Sequence, residues 1–292
     1  MRRILLLFRD AYVSWNKDNA SSLGAALAYY TIFSIPPLLI LLIGLAGILF
    51  DSSRVQDRFA GTVEHLVGPH GAAAVQEMLR SAHRERHGVI ATIVGLVTLV
   101  LGASGVFGNL KDALNTIWHV EPKPGRGLVL YARKYLFSVL VLLGTGFLLI
   151  VSLALNTILT ALGDTLSRHL PGGAALWQAV NVVVSLATIT SLFALMYRYI
   201  PDAHVAWKDA LLGGLVTSAL FMAGEALIGF YLGRTNVGSS FGAAGSLAVV
   251  LVWVYYSAMI FFFGAEFTKG YAIRRGARIL PEPDAKRVAG AS

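Results

Sequence analysis

Six long apolar segments, nearly free of charged residues, alternate with shorter polar segments along the chain. A transmembrane helix needs about 20 mainly apolar residues, and an ionised group at mid-membrane costs at least about 2.5 kcal/mol. Every segment is long enough, and a formal charge occurs only in the fifth, at Glu225. The pattern predicts six membrane-spanning helices, at Asn19–Phe50, Val89–Gly108, Tyr135–Gly163, Leu170–Tyr197, Ala210–Gly233 and Thr235–Ala265.

The predicted fold class is all-α, a polytopic six-transmembrane-helix bundle with interfacial amphipathic helices. In lipid the backbone must satisfy its own hydrogen bonds, so a spanning protein is either helical or a closed barrel. Barrel strands are about ten residues long and alternate in polarity, whereas these segments are continuously apolar. Composition agrees, because 56% of the residues are hydrophobic and 14% are charged, against about 25% charged in soluble domains.

The same pattern divides the chain into three parts. Residues 1–18 have apolar positions near helical spacing, which predicts an amphipathic N-terminal helix in the cytoplasmic interface. Residues 19–268 form the six-helix domain, in which the extracytoplasmic loop 51–88 is predicted to hold two short amphipathic helices. Residues 269–292 form a basic cytoplasmic tail that we expect to be disordered.

The distribution of basic residues predicts that both termini are cytoplasmic. With six spans the termini share one side, and 17 of the 24 Lys and Arg residues fall in segments on that side, as expected for the cytoplasmic face of a bacterial inner membrane. The net charge of +8 then predicts contact with anionic lipid headgroups. The basic residues are dispersed over loop ends rather than gathered in one stripe, which argues against nucleic-acid binding.

Glu225 is the candidate functional residue of the spans. It shares one predicted face of the fifth span with Gly214, Ser218 and Phe221, and a small, polar face that carries an acid belongs in the bundle interior. The functional interpretation is a proton, cation or substrate site in a transport cavity. The structural interpretation is a hydrogen-bonded glutamate that ties two helices together.

Two adjacent prolines, Pro36 and Pro37, lie within the first span. Proline removes a backbone hydrogen bond and clashes with the preceding turn, so a bend is expected there. The bend serves either helix packing or a broken helix that opens a cavity, as transporters often use. The sequence leaves both interpretations open, and we count both prolines among the candidate cavity residues.

An amphipathic segment continues from the second span. We expect it to lie on the cytoplasmic surface as a membrane anchor, with a gate that moves with substrate as the alternative. Asn115 and Trp118 of this segment, together with Arg198 after the fourth span, are the candidate interfacial residues. Glu266, at the end of the sixth span, and Lys269 are expected to form an interfacial ion pair. The apolar face consists of Phe107, Leu110, Leu114, Ile117 and Trp118.

Residues that resemble enzyme motifs do not form a complete catalytic set. The chain has no cysteine, which excludes thiolate catalysis. Ser104 and Ser240 sit in serine-hydrolase-like contexts, but no histidine lies in any span to act as their base. His83 and His87 are one helical turn apart but are flanked by arginines, which oppose a cation. We therefore predict no catalytic residue, no metal and no cofactor.

Seven short motifs are spread along the chain in a specific order. They are Gly24–Pro37, Leu114–Trp118, Tyr197–Pro201, Trp207–Gly214, Phe241–Ser246, Trp253–Tyr256 and Gly264–Glu266. In this order and spacing they resemble the YihY/BrkB family of bacterial inner-membrane proteins, formerly mislabelled ribonuclease BN, over roughly residues 10–270. The resemblance implies six helices, the cytoplasmic membrane and an association with virulence. It carries over no catalytic residue, because the family has no settled reaction, and the tail Arg274–Ser292 lies beyond it.

Two functions from different classes remain. The first is a transporter or lipid-handling protein of the envelope, with a cavity between the first span and the Glu225 face. The second is a non-transporting scaffold for envelope assembly, and an intramembrane serine protease is a distant third. The expected partners are the phospholipid bilayer, anionic lipids at the cytoplasmic face and envelope proteins. Stripes of small residues also permit a homo-oligomer.

Overall fold

The structure is a computed structural model, and it describes residues 2–49, 104–123, 173–234 and 245–288. Within these ranges the helices are α1 (Arg2–Lys17), α2 (Ala20–Leu49), α3 (104–118), α4 (Gly173–Tyr199), α5 (Trp207–Arg234) and α6 (Gly245–Arg274). The strands are β1 (Val120–Pro122), β2 (Ala203–His204), β3 (Leu280–Pro281) and β4 (Ala285–Arg287).

The helices have the character of a helical membrane protein. The positions of α2, α4 and α5 agree with the predicted first, fourth and fifth spans, and α6 covers the larger part of the sixth. In the described part of the chain, two segments are long and apolar enough to cross a membrane, Gln178–Tyr199 and Val250–Arg274. The loop 51–88, the third span and most of the second lie outside the described residues. The count of six spans therefore stays a prediction.

Large apolar side chains are exposed along the predicted spans. Tyr29 and Phe33 on α2, Val182 and Val183 on α4, and Leu227 on α5 all project away from the protein interior. Soluble proteins rarely expose so many large apolar residues, and lipid is the solvent in which such a surface is stable. The exposed residues therefore fit a helix surface that contacts the bilayer.

The chain divides into two compact units. The first comprises Met1–Ala20, Lys111–Ala223 and Ile260–Ser292, and the second comprises Ser21–Leu110 and Gly224–Met259. In the second unit a Cβ atom at Gly105 would lie 2.8 Å from Cδ1 of Tyr30. The close approach of α2 and α3 at this point therefore requires a glycine.

The apolar face of α3 is covered by protein. The amphipathic pattern predicted that this face would anchor the helix in lipid. In the structure all five of its residues are buried: Phe107, Leu110, Leu114, Ile117 and Trp118. The amphipathic pattern correctly identifies the apolar side of the helix. It does not specify whether lipid or protein covers that side, and here protein does.

The N-terminal helix is confirmed as a helix over Arg2–Lys17. One side packs on α6, where the ring of Phe8 lies 5.1 Å from that of Phe267 and 6.1 Å from that of Phe263, measured between centroids. On the other side Leu5 and Tyr12 are exposed. Because α6 includes a candidate span, this contact ties α1 to a helix that is long and apolar enough to cross a membrane.

The expectation of a disordered tail is wrong over residues 269–288. Helix α6 continues to Arg274, and the chain then folds back to form β3 and β4. Strand β4 pairs antiparallel with β1, with Glu121 opposite Lys286, and β3 pairs antiparallel with β2. The tail is therefore part of the fold, and the all-α prediction omitted two small sheets. The two sheets form because the tail strands make backbone pairs with the segments that follow α3 and α4.

Candidate functional site

A buried ionic cluster lies within the first unit, centred on Lys269 of α6. We define the ionic cluster as Asp18, His119, Glu266 and Lys269. The Lys269 ammonium nitrogen Nζ lies 2.7 Å from Oε2 of Glu266 and 3.3 Å from Oδ2 of Asp18. It also donates a hydrogen bond of 2.7 Å to the carbonyl oxygen of Ile117. Buried charges persist in proteins when they are paired in this way.

Backbone turns at the ends of two helices bring the cluster together. Asp18 directly follows α1, and the next residue, Asn19, has a left-handed φ of 50°. His119 directly follows α3 and has a φ of 53°. Asn and His are among the residues that tolerate this conformation, which commonly ends a helix. Glu266 and Lys269 are one turn apart on α6, so a single helix face presents both.

His119 connects the cluster to solvent. Its Nε2 atom lies 3.1 Å from Oδ2 and 3.3 Å from Oδ1 of Asp18. The His119 side chain is 29% exposed, whereas the side chains of Glu266, Lys269 and Asp18 are 0%, 6% and 10% exposed. The imidazole is therefore the most accessible ionisable group of the four.

The environment of Asp18 favours its ionised form. Burial alone would raise the pKa of Asp18, but the hydrogen bond with Glu266 and the charges of Lys269 and His119 outweigh it. The pKa of Asp18 therefore lies below its ordinary value of 3.8. Asp18 is therefore the ionised partner of Lys269 and His119 in the cluster.

A second buried acid, Asp202, joins the α4–α5 connection to α3. Its Oδ1 atom lies 3.1 Å from Nζ of Lys111, and its Oδ2 atom accepts a hydrogen bond of 3.1 Å from Nδ2 of Asn115. The Asn115 side-chain oxygen accepts a bond of 2.8 Å from the Asp202 backbone N–H. The amide of Glu282 in the tail donates to the Asp202 carbonyl oxygen at 2.9 Å. One residue thus connects three separate segments.

The C-terminal end of α6 makes two further ion pairs. Arg275, just beyond the helix, lies 3.2 Å from Oδ1 of Asp209, which sits in the first turn of α5. Arg274 pairs with Asp10 of α1. An acid in the first turn of a helix and a base in the last turn both complement the helix dipole, so Asp209 in α5 and Arg274 in α6 each have this additional support.

A seam of polar side chains joins α4, α5 and α6 inside the same unit. The Tyr197 hydroxyl donates to the carbonyl oxygen of Phe261 at 2.7 Å and lies 2.9 Å from the Thr217 hydroxyl. Thr190 donates to the Ser218 hydroxyl at 3.3 Å. A Cβ atom at Gly264 would overlap Thr217. Small and hydroxylated residues in this arrangement are typical of close helix contacts in membranes.

The candidate cavity residues of α5 lie mainly at this seam. A Cβ atom at Gly214 would be 2.6 Å from the Thr190 carbonyl oxygen, and the ring of Phe221 is 5.8 Å from that of Phe193. Ser218 is buried beside Thr190. These contacts join α5 to α4. The side chains of Glu225, Pro36 and Pro37 lie outside the described residues, although α2 continues through both prolines.

The three candidate interfacial residues occupy different environments. Asn115 is buried against Asp202, and Trp118 is also buried. Arg198 donates to the Val205 carbonyl oxygen, and its guanidinium lies 4.9 Å from the centroid of the Trp207 ring. Trp207 is 42% exposed, so the Arg198–Trp207 pair is the part of this set that fits a membrane–water interface.

One pair of the ionic cluster is predictable from the sequence, and the other two members are not. The expected ion pair between Glu266 and Lys269 is confirmed by the structure. Asp18 and His119 were not among the candidate residues, because each lies in a short connection far from α6 in the sequence. In the described part of the chain, no three or more His, Asp and Glu side chains are arranged to hold a metal ion.

Comparison with known proteins gives a consistent match. A family model described as Virulence factor BrkB matches residues 11–289, including the tail that the resemblance was expected to exclude. A UPF0761 membrane protein of Azotobacter vinelandii is 29% identical over 270 residues, covering 91% of this chain and 63% of that protein. One from Pseudomonas aeruginosa (strain LESB58) is 30% identical over 252 residues, covering 85% and 58%.

The chain spans about three-fifths of the length of the curated relatives that it matches. No solved structure matches it.

Proposed function

This chain belongs to the family of the virulence factor BrkB, and from that premise we propose that it moves or handles a small polar or lipid substrate of the bacterial envelope. In this proposal it is a multi-pass protein of the inner membrane with both termini cytoplasmic, and it is not an enzyme. The ionic cluster would lie at the cytoplasmic end of the substrate path.

The observation that carries the proposal is the burial of ionisable residues within a candidate span. Glu266 and Lys269 both belong to Val250–Arg274, and both are buried. Ionisable groups in a membrane segment are costly, and where they occur they usually mark ion or substrate paths. A helix that needed only to anchor the protein would be more stable with apolar residues at these positions.

The polar seam supports the proposal in a second way. Hydrogen bonds between membrane helices contribute on average about 0.6 kcal/mol each. Tyr197 contacts Thr217 of α5 and donates to the Phe261 carbonyl oxygen of α6. Thr190 of α4 also donates to Ser218 of α5. These bonds hold the three helices together without making their separation expensive. Transport requires helices that can separate and close again, and a seam of this kind permits it.

Glu225 keeps its proposed role as a substrate or cation site. It follows Phe221 by one helical turn within α5, and Phe221 contacts α4 through Phe193. An acid at this position of a predicted span requires a partner or a proton. We propose that the substrate or a coupling cation supplies that partner.

The test is mass spectrometry of the molecules that co-purify with gently solubilised protein. We expect a lipid or small polar molecule to be enriched on the wild type and lost from Glu225→Gln. Ser191→Ala, an exposed position on α4 whose hydroxyl bonds within its own helix, is the matched control and should retain the molecule.

The same experiment separates transport from the scaffold alternative. The scaffold alternative also has structural support. The tail strands pair with the segments that follow α3 and α4 and hold them in place, which gives partner proteins an ordered surface to bind. If wild type and Glu225→Gln retain the same protein partner and neither enriches a small molecule, the transport proposal is wrong and the scaffold is favoured.

A further inference from the structure

The charges of the ionic cluster do not balance without an additional proton. Asp18 and Glu266 contribute two carboxyl groups, and Lys269 contributes one ammonium. His119 is the remaining titratable group in contact with them. With both carboxyls ionised and the imidazole neutral, the buried cluster would carry a net negative charge. Burial of an uncompensated charge is strongly unfavourable.

The two carboxyl groups are also close to each other. Both contact the same atom, Nζ of Lys269, at 3.3 Å for Asp18 and 2.7 Å for Glu266. Those two distances share an end point, so the carboxyl oxygens lie no more than about 6 Å apart (3.3 plus 2.7). Two carboxyl groups that share a site in this way do not both ionise readily.

Glu266 has an independent feature that points to a bound proton. Its side chain is fully buried, and neither carboxyl oxygen receives a well-directed hydrogen bond from any N–H or hydroxyl group that the structure describes. Nζ of Lys269 lies 2.7 Å from Oε2 as an ion-pair contact. A buried carboxylate in such a position is incompletely satisfied, whereas a carboxylic acid that donates to Asp18 is satisfied.

We propose that the Asp18–Glu266 carboxyl pair is a binding site for one exchangeable proton, carried on Glu266 and donated to the Asp18 carboxylate. Lys269 is the fixed counter-charge, held in place by the Ile117 carbonyl oxygen. Binding of the proton converts one carboxylate to a carboxylic acid and leaves the cluster neutral. The inference concerns the cluster itself and holds whether or not the protein transports a substrate.

His119 provides the route by which the proton exchanges with water. It is the most exposed group of the cluster, and its Nε2 atom contacts both carboxylate oxygens of Asp18. A proton taken up from solvent by the imidazole passes to Asp18 and then to Glu266. The low exposure of Glu266 and Lys269 leaves no comparably direct route among the described contacts.

The other described charged groups near this end of the molecule pair with different partners. Lys111 pairs with Asp202, Arg275 with Asp209, and Arg274 with Asp10. Each of these three ion pairs joins one acid to one base, and none shares a member with the ionic cluster. Asp112 is a further acid near Lys111 and Asp202, and burial raises its pKa above the ordinary value.

The test is infrared spectroscopy of the full chain in lipid, in H2O and in D2O, over a series of pH values. A protonated carboxylic acid has a carbonyl stretching band that a carboxylate lacks, and the band shifts in D2O. We expect the wild type to show this band near neutral pH and to lose it at alkaline pH. Absence of the band from the wild type would overturn the proposal and would place the balancing proton on His119.

Substitutions in the cluster show whether the carboxylic-acid band comes from the Asp18–Glu266 pair. Glu266→Gln should remove it because the proton-bearing group is gone. Asp18→Asn should also remove it, since one carboxylate and one ammonium then balance without a proton. Glu225→Gln, which changes the acid predicted to lie in another span, should retain the band, as should His119→Gln. Persistence of the full band in both Glu266→Gln and Asp18→Asn would contradict the proposal, even if one of the two were unstable.

Discussion

Lys269 of α6 donates a hydrogen bond of 2.7 Å to the carbonyl oxygen of Ile117, in the last turn of α3. The last carbonyl groups of a helix lack partners within the helix, and a cation is the group that its C-terminus binds best. One ammonium thus caps the C-terminal end of α3 and also contacts the carboxyl groups of Asp18 and Glu266. Removal of Lys269 would leave the Ile117 carbonyl oxygen and the Asp18 carboxylate without this donor, and the Glu266 carboxyl group without its counter-charge.

We therefore predict that Lys269→Met destabilises the protein by about 3–5 kcal/mol, the cost of breaking a buried ion pair from one side. The measurement is thermal or denaturant unfolding of purified protein in detergent. Lys286→Ala is the matched control, because Lys286 pairs with Glu121 in an exposed position, where such pairs contribute about 0–1 kcal/mol. Equal effects of the two substitutions would show that the buried cluster has no special structural role.

Gly264 gives a second prediction, which concerns the polar seam. A Cβ atom at this position would overlap Thr217 and crowd the Tyr197 hydroxyl, so Gly264→Ala should force α5 and α6 apart. Overpacking of this kind costs about 1–3 kcal/mol. The expected result is a lower unfolding temperature and loss of the Tyr197–Thr217 contact.

The control for Gly264→Ala is Gly270→Ala on the same helix. A Cβ atom at Gly270 meets no other atom within 4 Å, and alanine is favoured over glycine in a helix by up to about 1 kcal/mol. Gly270→Ala should therefore leave stability unchanged or raise it. If Gly264→Ala is equally well tolerated, the packing of α5 on α6 is looser than the structure indicates.

The helices could be predicted from the sequence because their signal is local. Long apolar segments define α2, α4, α5 and α6 from their own residues, and the spacing of Glu266 and Lys269 predicts their ion pair. The position of the α3 apolar face in the fold could not be predicted in this way. An amphipathic pattern shows which side avoids water, and lipid and protein interior both satisfy it.

The sheets and the cluster depend on contacts between residues far apart in the sequence. Strands β2 and β3 have two residues each, too few for propensity or alternation to show. Asp18 and His119 each resemble ordinary residues in a helix connection, and only the fold brings them to Lys269. The order of residues in the sequence does not by itself predict the contacts of Asp18 and His119 in the ionic cluster.

The folded tail gives a third prediction. A chain that ends after Arg278 lacks β3 and β4, so β1 and β2 lose their partners and Asp202 loses the hydrogen bond from Glu282. We expect a lower unfolding temperature and faster proteolysis near residues 120–123, where the unpaired strand becomes accessible.

A chain that ends after Val288 is the control for this truncation, because it keeps both strand pairs. Its unfolding temperature and protease resistance should match those of the full chain. If the chain that ends after Arg278 also matches the full chain in both measurements, the tail sheets contribute nothing to stability.

The pH dependence of stability gives the last prediction, through Asp18. Its pKa in the folded protein lies below the ordinary value of 3.8, so its ion pairs contribute stability that is complete above that value and is lost as the pH falls through the lowered pKa. Asp18→Asn should lower the unfolding temperature at neutral pH, and its difference from the wild type should shrink as the solution becomes acidic.

Asp10 provides the comparison that tests whether burial is responsible. The hydrogen bond from Arg274 also lowers the pKa of Asp10, but this pair is well exposed and salt screens it. Asp10→Asn should therefore have a small effect that disappears at high ionic strength, while the effect of Asp18→Asn persists. A salt dependence of the same size for both variants would mean that the ionic cluster is accessible to water and ions, contrary to the burial of Lys269 and Glu266.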